Sequence, residues 1–278
     1  MIGDLHCHTC FSDGSMGVDE LVFYARRSGL DFVALTDHDT MAGVNRGEQL
    51  GKRYGIGVIG GVELSCWDQV RGRKVHLLCY LPQNPDRLAG RMKQTLESRD
   101  HAMHESLRLV MERYPITEEL VMQFAKGSAC LYNVHIMRAL MELGYTDSPY
   151  GDLFRQLLAP GGSCYVAHEY GEVWETAHLI QSAGGVCVLA HPSVYNSIDL
   201  MEELAKAGLL DGVERFHPKV KKQDIPAIDR VVAEYGLIPT GGTDFHGSNT
   251  NHPNPLGTCV TEQTSLERLF SCAKGKRS

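Results

Sequence analysis

Short apolar runs of strand length alternate with amphipathic stretches over residues 1–84, and the same rhythm returns after residue 160. Residues 2–5 lean apolar and run into His6-Cys7-His8. Residues 19–28 set Leu21, Val22, Tyr24 and Ala25 at helical spacing, with Gly29 as a natural stop. Residues 31–36 form an apolar run that ends at Asp37-His38-Asp39. A helix over 42–54 then leads to a third strand at 56–63, and 75–81 reads as a fourth. Strand, helix, strand, with polar residues at strand ends, is the pattern of a barrel or a doubly wound sheet. In both folds the chemistry collects at the C-terminal ends of the strands, where these His, Asp and Glu residues fall.

Between 85 and 160 the rhythm changes. Residues 87–111 are one long charged helical stretch, followed by helical patterns at 117–125, 133–143 and 150–158, with no strand-like run among them. This segment is expected to be a helical insertion that caps one side of the site. Strands return at 186–190, 212–216 and 237–243, each separated by a helix. The expected organisation is therefore a barrel from 1–84 and 161–278, interrupted by an insertion at 85–160. No internal repeat appears, and the tail at 274–277 is expected to fray.

Composition narrows the classes. A chain of 278 residues, 43% hydrophobic and 22% charged, can hold one large barrel with a modest insertion. A formal net charge of -7 argues against a nucleic-acid polymer or an anionic membrane surface as the main partner. It leaves room for a small phosphorylated substrate, because bound divalent cations reverse the local sign. Nine cysteines, an odd count spread over the whole length, suggest reduced thiols in a cytoplasm. Cys7 and Cys10 form one CxxC without a second. Cys7 is read as a small buried filler on the strand face opposite the flanking histidines. No signal peptide or long apolar run is present, so neither export nor a membrane span is expected.

If residues 4–8 are extended, alternation sends His6 and His8 to one side, with the Asp13 carboxylate five residues later on a turn. Alone, such a pair reads as surface histidines. Complementary pieces recur, however, at Thr36-Asp37-His38-Asp39, Gly61-Val62-Glu63-Leu64-Ser65, Val75-His76-Leu77-Leu78, Ala190-His191-Pro192 and Gly242-Thr243-Asp244-Phe245-His246-Gly247. Six histidines and three carboxylates make nine candidate ligands, too many for one ion and suited to three that share a bridge. Imidazole with carboxylate suits Mn²⁺, Fe²⁺ or Zn²⁺, ions that hold phosphate oxygens and acidify water. Asp37 and Asp39 are read either as orienting His38 or as solvated turn carboxylates.

In their order and residues these stretches resemble the PHP (polymerase and histidinol phosphatase) metallophosphoesterases. The resemblance implies a distorted (β/α)7 barrel with two or three metal ions at the C-terminal strand ends. It assigns His6, His8, Glu63 and Asp244 to one ion. Glu63 bridges to a second held by His76 and His191, and Asp13, His38 and His246 hold a third. Glu63 and Asp13 join the catalytic set with His217, which follows the sixth strand in Glu214-Arg215-Phe216-His217-Pro218 and is the candidate to protonate a leaving alkoxide. The branch it looks most like opens phosphoribosyl 1,2-cyclic phosphate and then removes the resulting monoester. Relatives acting on 3′,5′-nucleoside bisphosphates have basic residues where this chain has Asn133 and Gly162, which makes that activity the alternative, and histidinol phosphate hydrolysis comes third. Arg138, Arg155, Arg215 and His135 are candidate substrate contacts. PHP domains also occur as structural or degenerate parts of DNA polymerases, but those often lose ligands. All nine positions are filled here, so an enzyme is expected.

Overall fold

The computed structural model describes residues 1–276. It begins with β1 (Ile2–Asp4), α1 (Val18–Arg27), β2 (Phe32–Leu35), α2 (Val44–Tyr54), β3 (Gly57–Asp68) and β4 (Arg73–Tyr80). Four helices follow: α3 (Asp86–Met111), α4 (Glu118–Phe124), α5 (Asn133–Glu142) and α6 (Asp152–Leu157). The chain then continues through β5 (Gly171–Glu172), α7 (Val173–Ser182), β6 (Val186–Leu189), α8 (Ile198–Lys206), β7 (Gly212–Phe216) and α9 (Ile225–Tyr235). It finishes with β8 (Ile238–Gly241), β9 (Thr261–Glu262) and α10 (Gln263–Gly275). Helix α1 shows why the pattern was readable. It buries Val18, Leu21, Val22 and Ala25 as one stripe, with Asp19 and Glu20 in its first turn and Arg26 and Arg27 in its last, as the helix dipole favours.

The strands follow one another as β8-β7-β6-β4-β3-β2-β1-β9, with β5 beside β3. The sheet curls into a barrel. Its seam closes where Leu5 N–H donates to Gly241 O (3.1 Å), Phe245 N–H to His6 O (3.1 Å) and His8 N–H to Phe245 O (2.8 Å). Asp4, fully buried, tightens the seam by accepting from Thr243 N–H (2.9 Å), Thr243 Oγ1–H (2.7 Å) and Gly257 N–H (3.0 Å).

One strand departs from the expected βα alternation. β3 does not stop at Glu63 but runs to Asp68 and turns through Gly72, whose φ of 62° suits glycine. It then pairs antiparallel with β4 from Gly61↔Tyr80 to Asp68↔Arg73. β4 therefore runs backwards in the barrel, and is antiparallel to β6 as well. His76 lies near its start, opposite Ser65, instead of at a C-terminal end. The inversion brings it to the same mouth as Glu63.

Period-2 alternation sorts the barrel's inner face by height. On β4, Tyr80 and Leu78 join an apolar plug with Leu5, Ile59, Val188 and Ile238, while His76 continues the same face toward the mouth. On β3 the matching series is Ile59, Gly61, Glu63 and Ser65. The opposite faces, with Val62, Leu64, Cys66, Val75, Leu77 and Cys79, pack against α7 and α8. The helices between β4 and β5 have their own apolar cluster, which includes Met103, Leu107, Val121, Ile136, Met137 and Leu140. The expected frayed tail is instead helical through Gly275, and Lys276 Nζ reaches Asp211 Oδ2 at 2.7 Å. Arg277 lies outside the described residues.

The four helices are tied to the barrel mouth by a buried cation. Arg99 on α3 donates to Asp39 Oδ2 and Ser65 Oγ, both at 2.8 Å, and its guanidinium lies 4.9 Å from the Tyr132 ring. Removing one member of a buried pair strands the other charge, at a cost of roughly 3–5 kcal/mol. Arg99→Met should therefore lower unfolding free energy by about 3 kcal/mol or more in denaturant titration. Adding Asp39→Asn should recover part of that loss. Strictly additive losses would mean that the pair is not coupled.

Candidate metal centre

His6 and His8 follow β1 on the closing seam, and alternation turns both rings inward while Cys7 is fully buried in the outer cluster with Leu21 and Val33. The chain after β8 crosses them closely. A Cβ on Gly242 would come within 2.4 Å of the His6 Cβ, which only glycine avoids. Two ligand candidates sit in backbone conformations that side chains rarely adopt, His191 (φ 26°) and Asp244 (φ 52°), and Asp39 is a third (φ 53°). Such strain is held only where surrounding contacts over-determine it, and it concentrates at functional sites.

Glu63 is the hub. Its Oε2 lies 3.1 Å from His6 Nε2, 3.1 Å from His8 Nε2 and 3.2 Å from His38 Nδ1. Its Oε1 lies 2.7 Å from His76 Nδ1 and 2.9 Å from His191 Nε2. Asp244 Oδ1 adds contacts to His6 Nε2 (3.5 Å) and His8 Nε2 (3.4 Å). Asp13 faces His246 Nε2 (3.4 Å), His8 Nδ1 (3.6 Å) and His38 Nε2 (3.8 Å). All nine sequence-derived candidates thus meet at one end of the barrel. Groups able to hold an ion include His6, His8, Glu63 and Asp244, then His8, Asp13, His38 and His246, then His38, Glu63 and His76. Here His8 stands with the Asp13 group and His38 with Glu63 and His76, so the sets share members more than the resemblance implied.

The donor atoms are those an ion would satisfy. His6 Nε2, both His8 nitrogens, Asp13 Oδ1, His38 Nδ1, Glu63 Oε2, His76 Nε2 and His191 Nδ1 are buried with no hydrogen-bond partner. Buried polar atoms are rarely left so. Mixed imidazole and carboxylate donors fit divalent transition metals.

Charge is arranged to match. Burial would raise the Glu63 pKa, but the His76, His6 and His38 imidazoles hold it well below the usual carboxylate range. Asp13 and Asp244 are depressed in the same way, each against burial and each chiefly by His246. Burial disfavours a charge on His8, yet the Asp244 and Glu63 carboxylates beside Nε2 push its pKa up to about 10. For His76 burial wins and lowers it to about 4.

Glu214 was not assigned a role from sequence. Buried on β7, it accepts from His6 Nδ1 (2.9 Å) and from His191 N–H (2.8 Å). That bond fixes the His6 tautomer, leaving Nε2 free to face Glu63. The available signal was an acid beside Arg215 in the short strand Gly212–Phe216. Asp37 and Asp39 are neither solvated nor bonded to the His38 ring. Asp37 pins the loop after β1 by accepting from Thr9 N–H (2.7 Å), Thr9 Oγ1–H (2.7 Å) and Ser12 Oγ–H (2.6 Å). Asp39 accepts from Ser65 N–H (3.0 Å) and Arg99.

His217 is buried beside the cluster, its Nε2 3.5 Å from Asp244 Oδ2. Its Nδ1 accepts from Lys219 N–H (3.1 Å), which places the ring proton on Nε2, facing the site. The mouth opens into a cavity of about 640 Å³, lined among others by Lys74, Asn133, Tyr150, His168, Lys219 and Asn249. The expected substrate contacts lie elsewhere. Arg155 pairs with Asp152, Arg215 with Asp229 (2.5 Å), and Arg138 stacks on Phe124 (5.5 Å), all outside the cavity lining. His135 is buried, where its Nδ1 accepts from Tyr132 N–H (3.2 Å) at the start of α5. Burial lowers its pKa to about 4. The cavity's cations are instead Lys74, Arg99 and Lys219. Gly162 also lies off the cavity, in a turn where a Cβ would strike Leu157 O at 2.6 Å. Of the two positions lacking a basic residue, only Asn133 faces the cavity.

Comparison with known proteins agrees with this geometry. The family model described as PHP domain matches residues 4–132. The chain is 37% identical to the phosphoribosyl 1,2-cyclic phosphate 1,2-diphosphodiesterase of Eggerthella lenta, covering 89% of this chain and 95% of that protein. It is 30% identical to a 5′-3′ exoribonuclease of Haemophilus influenzae, with 87% and 89% covered. It is 28% identical to a 3′,5′-nucleoside bisphosphate phosphatase of Chromobacterium violaceum, with 91% and 92% covered. Among solved structures, a Bifidobacterium adolescentis protein assigned as a metal-dependent phosphoesterase superposes with a TM-score of 0.89 at 27% identity, covering 97% of this chain and 96% of that one. With its ligand cluster at the mouth of such a barrel and relatives matching nearly its whole length, the chain belongs to the PHP family of metal-dependent phosphoesterases.

Proposed function

We propose that the protein hydrolyses a small cyclic phosphodiester of the phosphoribosyl 1,2-cyclic phosphate type and then the phosphomonoester this yields. The observation that carries the reading is the convergence of nine ligand side chains, seven of them with a buried donor atom left unpartnered, at the mouth that opens into a cavity of about 640 Å³. In this reading three ions, Mn²⁺, Fe²⁺ or Zn²⁺, would be held as the family resemblance divides the residues: His6, His8, Glu63 and Asp244 would hold the first, Glu63, His76 and His191 the second, and Asp13, His38 and His246 the third. When bound, such ions supply positive charge to phosphoryl oxygens and bring the ionisation of water near neutral pH.

The chain's own residues do the rest. Water adds at phosphorus, one ring P–O bond breaks, and the proton lost by the water ends on the departing sugar oxygen, to which His217 Nε2–H would donate a hydrogen bond. A second addition of water to the monoester releases inorganic phosphate and a sugar hydroxyl. Glu214 keeps the His6 and His191 segments in place through both steps. The 85–160 segment acts as a cap: Asn133, Tyr150 and Phe154 face the cavity, and Asn251 accepts from Tyr150 N–H (2.9 Å) to hold that wall to the barrel. Among the described residues no helix is long and apolar enough to cross a membrane. The relatives named above favour 3′,5′-nucleoside bisphosphate hydrolysis as a second reading. Asn133 weighs against it, because an amide replaces a charge-assisted phosphate contact worth roughly 1.5–3 kcal/mol.

Glu63→Gln should reduce bound metal and cut turnover together, the latter by at least about 100-fold, because a neutral amide is a poor bridge between cations. Full metal content and normal rate in that variant would remove Glu63 from the centre. Metal binding should also release protons. At neutral pH His8, with a pKa near about 10, is protonated until an ion displaces the proton, so apparent affinity should rise with pH between roughly 6 and 8. Calorimetry in buffers of different ionisation enthalpy would read the released protons, and a pH-independent affinity would mean that no proton is displaced from His8. Finally, kcat/KM should be at least about 10-fold higher for 5-phosphoribosyl 1,2-cyclic phosphate than for adenosine 3′,5′-bisphosphate, and Asn133→Arg should narrow the gap. A strong preference for the bisphosphate would make the second reading the right one. Competition by a short 5′-phosphorylated oligoribonucleotide at lower concentration than either would point to a polymer substrate.

A further inference from the structure

The cavity has a second polar centre away from the metal ligands, on the outer reach of β4. Lys74 and His76 alternate on that strand, so they share the inner face and stand about 7 Å apart along it. The neighbouring cations are neutralised: Arg71 and Arg73 pair with Asp68 (3.2 Å each) and with Asp199. Arg99 is taken by Asp39 at 2.8 Å, and Lys219 stands 3.5 Å from Asp244. Lys74 is different. Its ammonium lies 4.9 Å from the Tyr170 ring centre and 6.0 Å from that of Tyr195, and among the described residues no carboxylate is ion-paired with it. Beside it, the His168 ring stands 4.6 Å from Tyr170 with both nitrogens buried and without a hydrogen-bond partner. Lys74, His168, Tyr170 and Tyr195 all line the one cavity.

We propose that Lys74 and His168, walled by Tyr170 and Tyr195, form the subsite that holds the substrate's phosphoryl group remote from the one being hydrolysed. An ammonium with aromatic walls and an imidazole offering an unused N–H make a cation and a donor for one phosphate. The step of about 7 Å from His76 to Lys74 is one that a ribose with its exocyclic carbon can bridge. Anchoring from β4 also accounts for Asn133: the far anion is held without a basic residue on α5. This inference rests on the phosphoesterase reading and adds the chemistry of the far end of the substrate.

The test compares ribose 1,2-cyclic phosphate with and without a 5-phosphate. The unmodified enzyme should favour the 5-phosphorylated probe by about 100-fold in kcat/KM, the size expected of charge-assisted contacts to phosphate. Lys74→Met should shrink that ratio by at least about 10-fold, His168→Phe should shrink it less, and Lys74→Arg should keep most of it. A ratio left unchanged by Lys74→Met, including equal losses on both probes, would overturn the subsite, as would the absence of any preference in the unmodified enzyme. If neither probe is hydrolysed, it is the cyclic-phosphodiester reading that has failed. The subsite is then judged by calorimetric binding of ribose 5-phosphate to the unmodified and Lys74→Met proteins. A Kd at least about 10-fold weaker in Lys74→Met supports it, and an unchanged Kd overturns it.

Discussion

One carboxylate organises the molecule. Glu63 is buried and meets five imidazoles, His6, His8, His38, His76 and His191, which reach it from separate parts of the barrel. A lone carboxylate at that depth would cost several kcal/mol and would neutralise itself by binding a proton. The imidazoles prevent that and keep Glu63 ionised. A buried anion inside a ring of nitrogen donors suits cations, and the spare lone pairs show the same preference.

The route by which four segments reach that carboxylate explains the irregular barrel. A ring of strictly alternating strands and helices brings only C-terminal strand ends to one mouth. Here β4 is inverted by the hairpin after Asp68, so a residue near its beginning reaches the same place. The hairpin also lifts Ser65 and Lys74 above the ligand layer, where they become walls of the cavity. Polar chemistry thus occupies two heights, ligands on the floor and binding groups above.

Rigidity around the ligands comes from groups that do not face the substrate. Asp4 stitches the barrel seam, Asp37 pins the loop that carries Asp13, and Asp39 anchors Arg99 and the helices it belongs to. Glu214 holds one ligand by its ring and another by its backbone. These buried carboxylates account for how His191 and Asp244 are kept in unfavourable backbone geometry without relaxing.

Much of this was written locally. Apolar runs of strand length and stripes at helical spacing exposed most strands and helices, because burial of one face is a short-range property of the pattern. The nine ligand candidates were legible because each falls in a short recognisable stretch of its own composition. What needed the third dimension was direction, depth and pairing. The end of β3 was misplaced because Glu63 looked like a strand terminus, although a buried, compensated carboxylate can sit mid-strand. Arg138 and Arg215 looked available because charge is visible in sequence, whereas the ring and the acid that occupy them are brought close by folding; Arg155 pairs locally with Asp152 three residues before it. Glu214 and Lys74 were the converse, one an acid beside Arg215 in a short strand and the other one basic residue among several. Sequence determined which chemical groups the chain owns; tertiary structure decided which remain unpaired and face the same space, since pairing across 208 residues, as between His6 and Glu214, has no local signature.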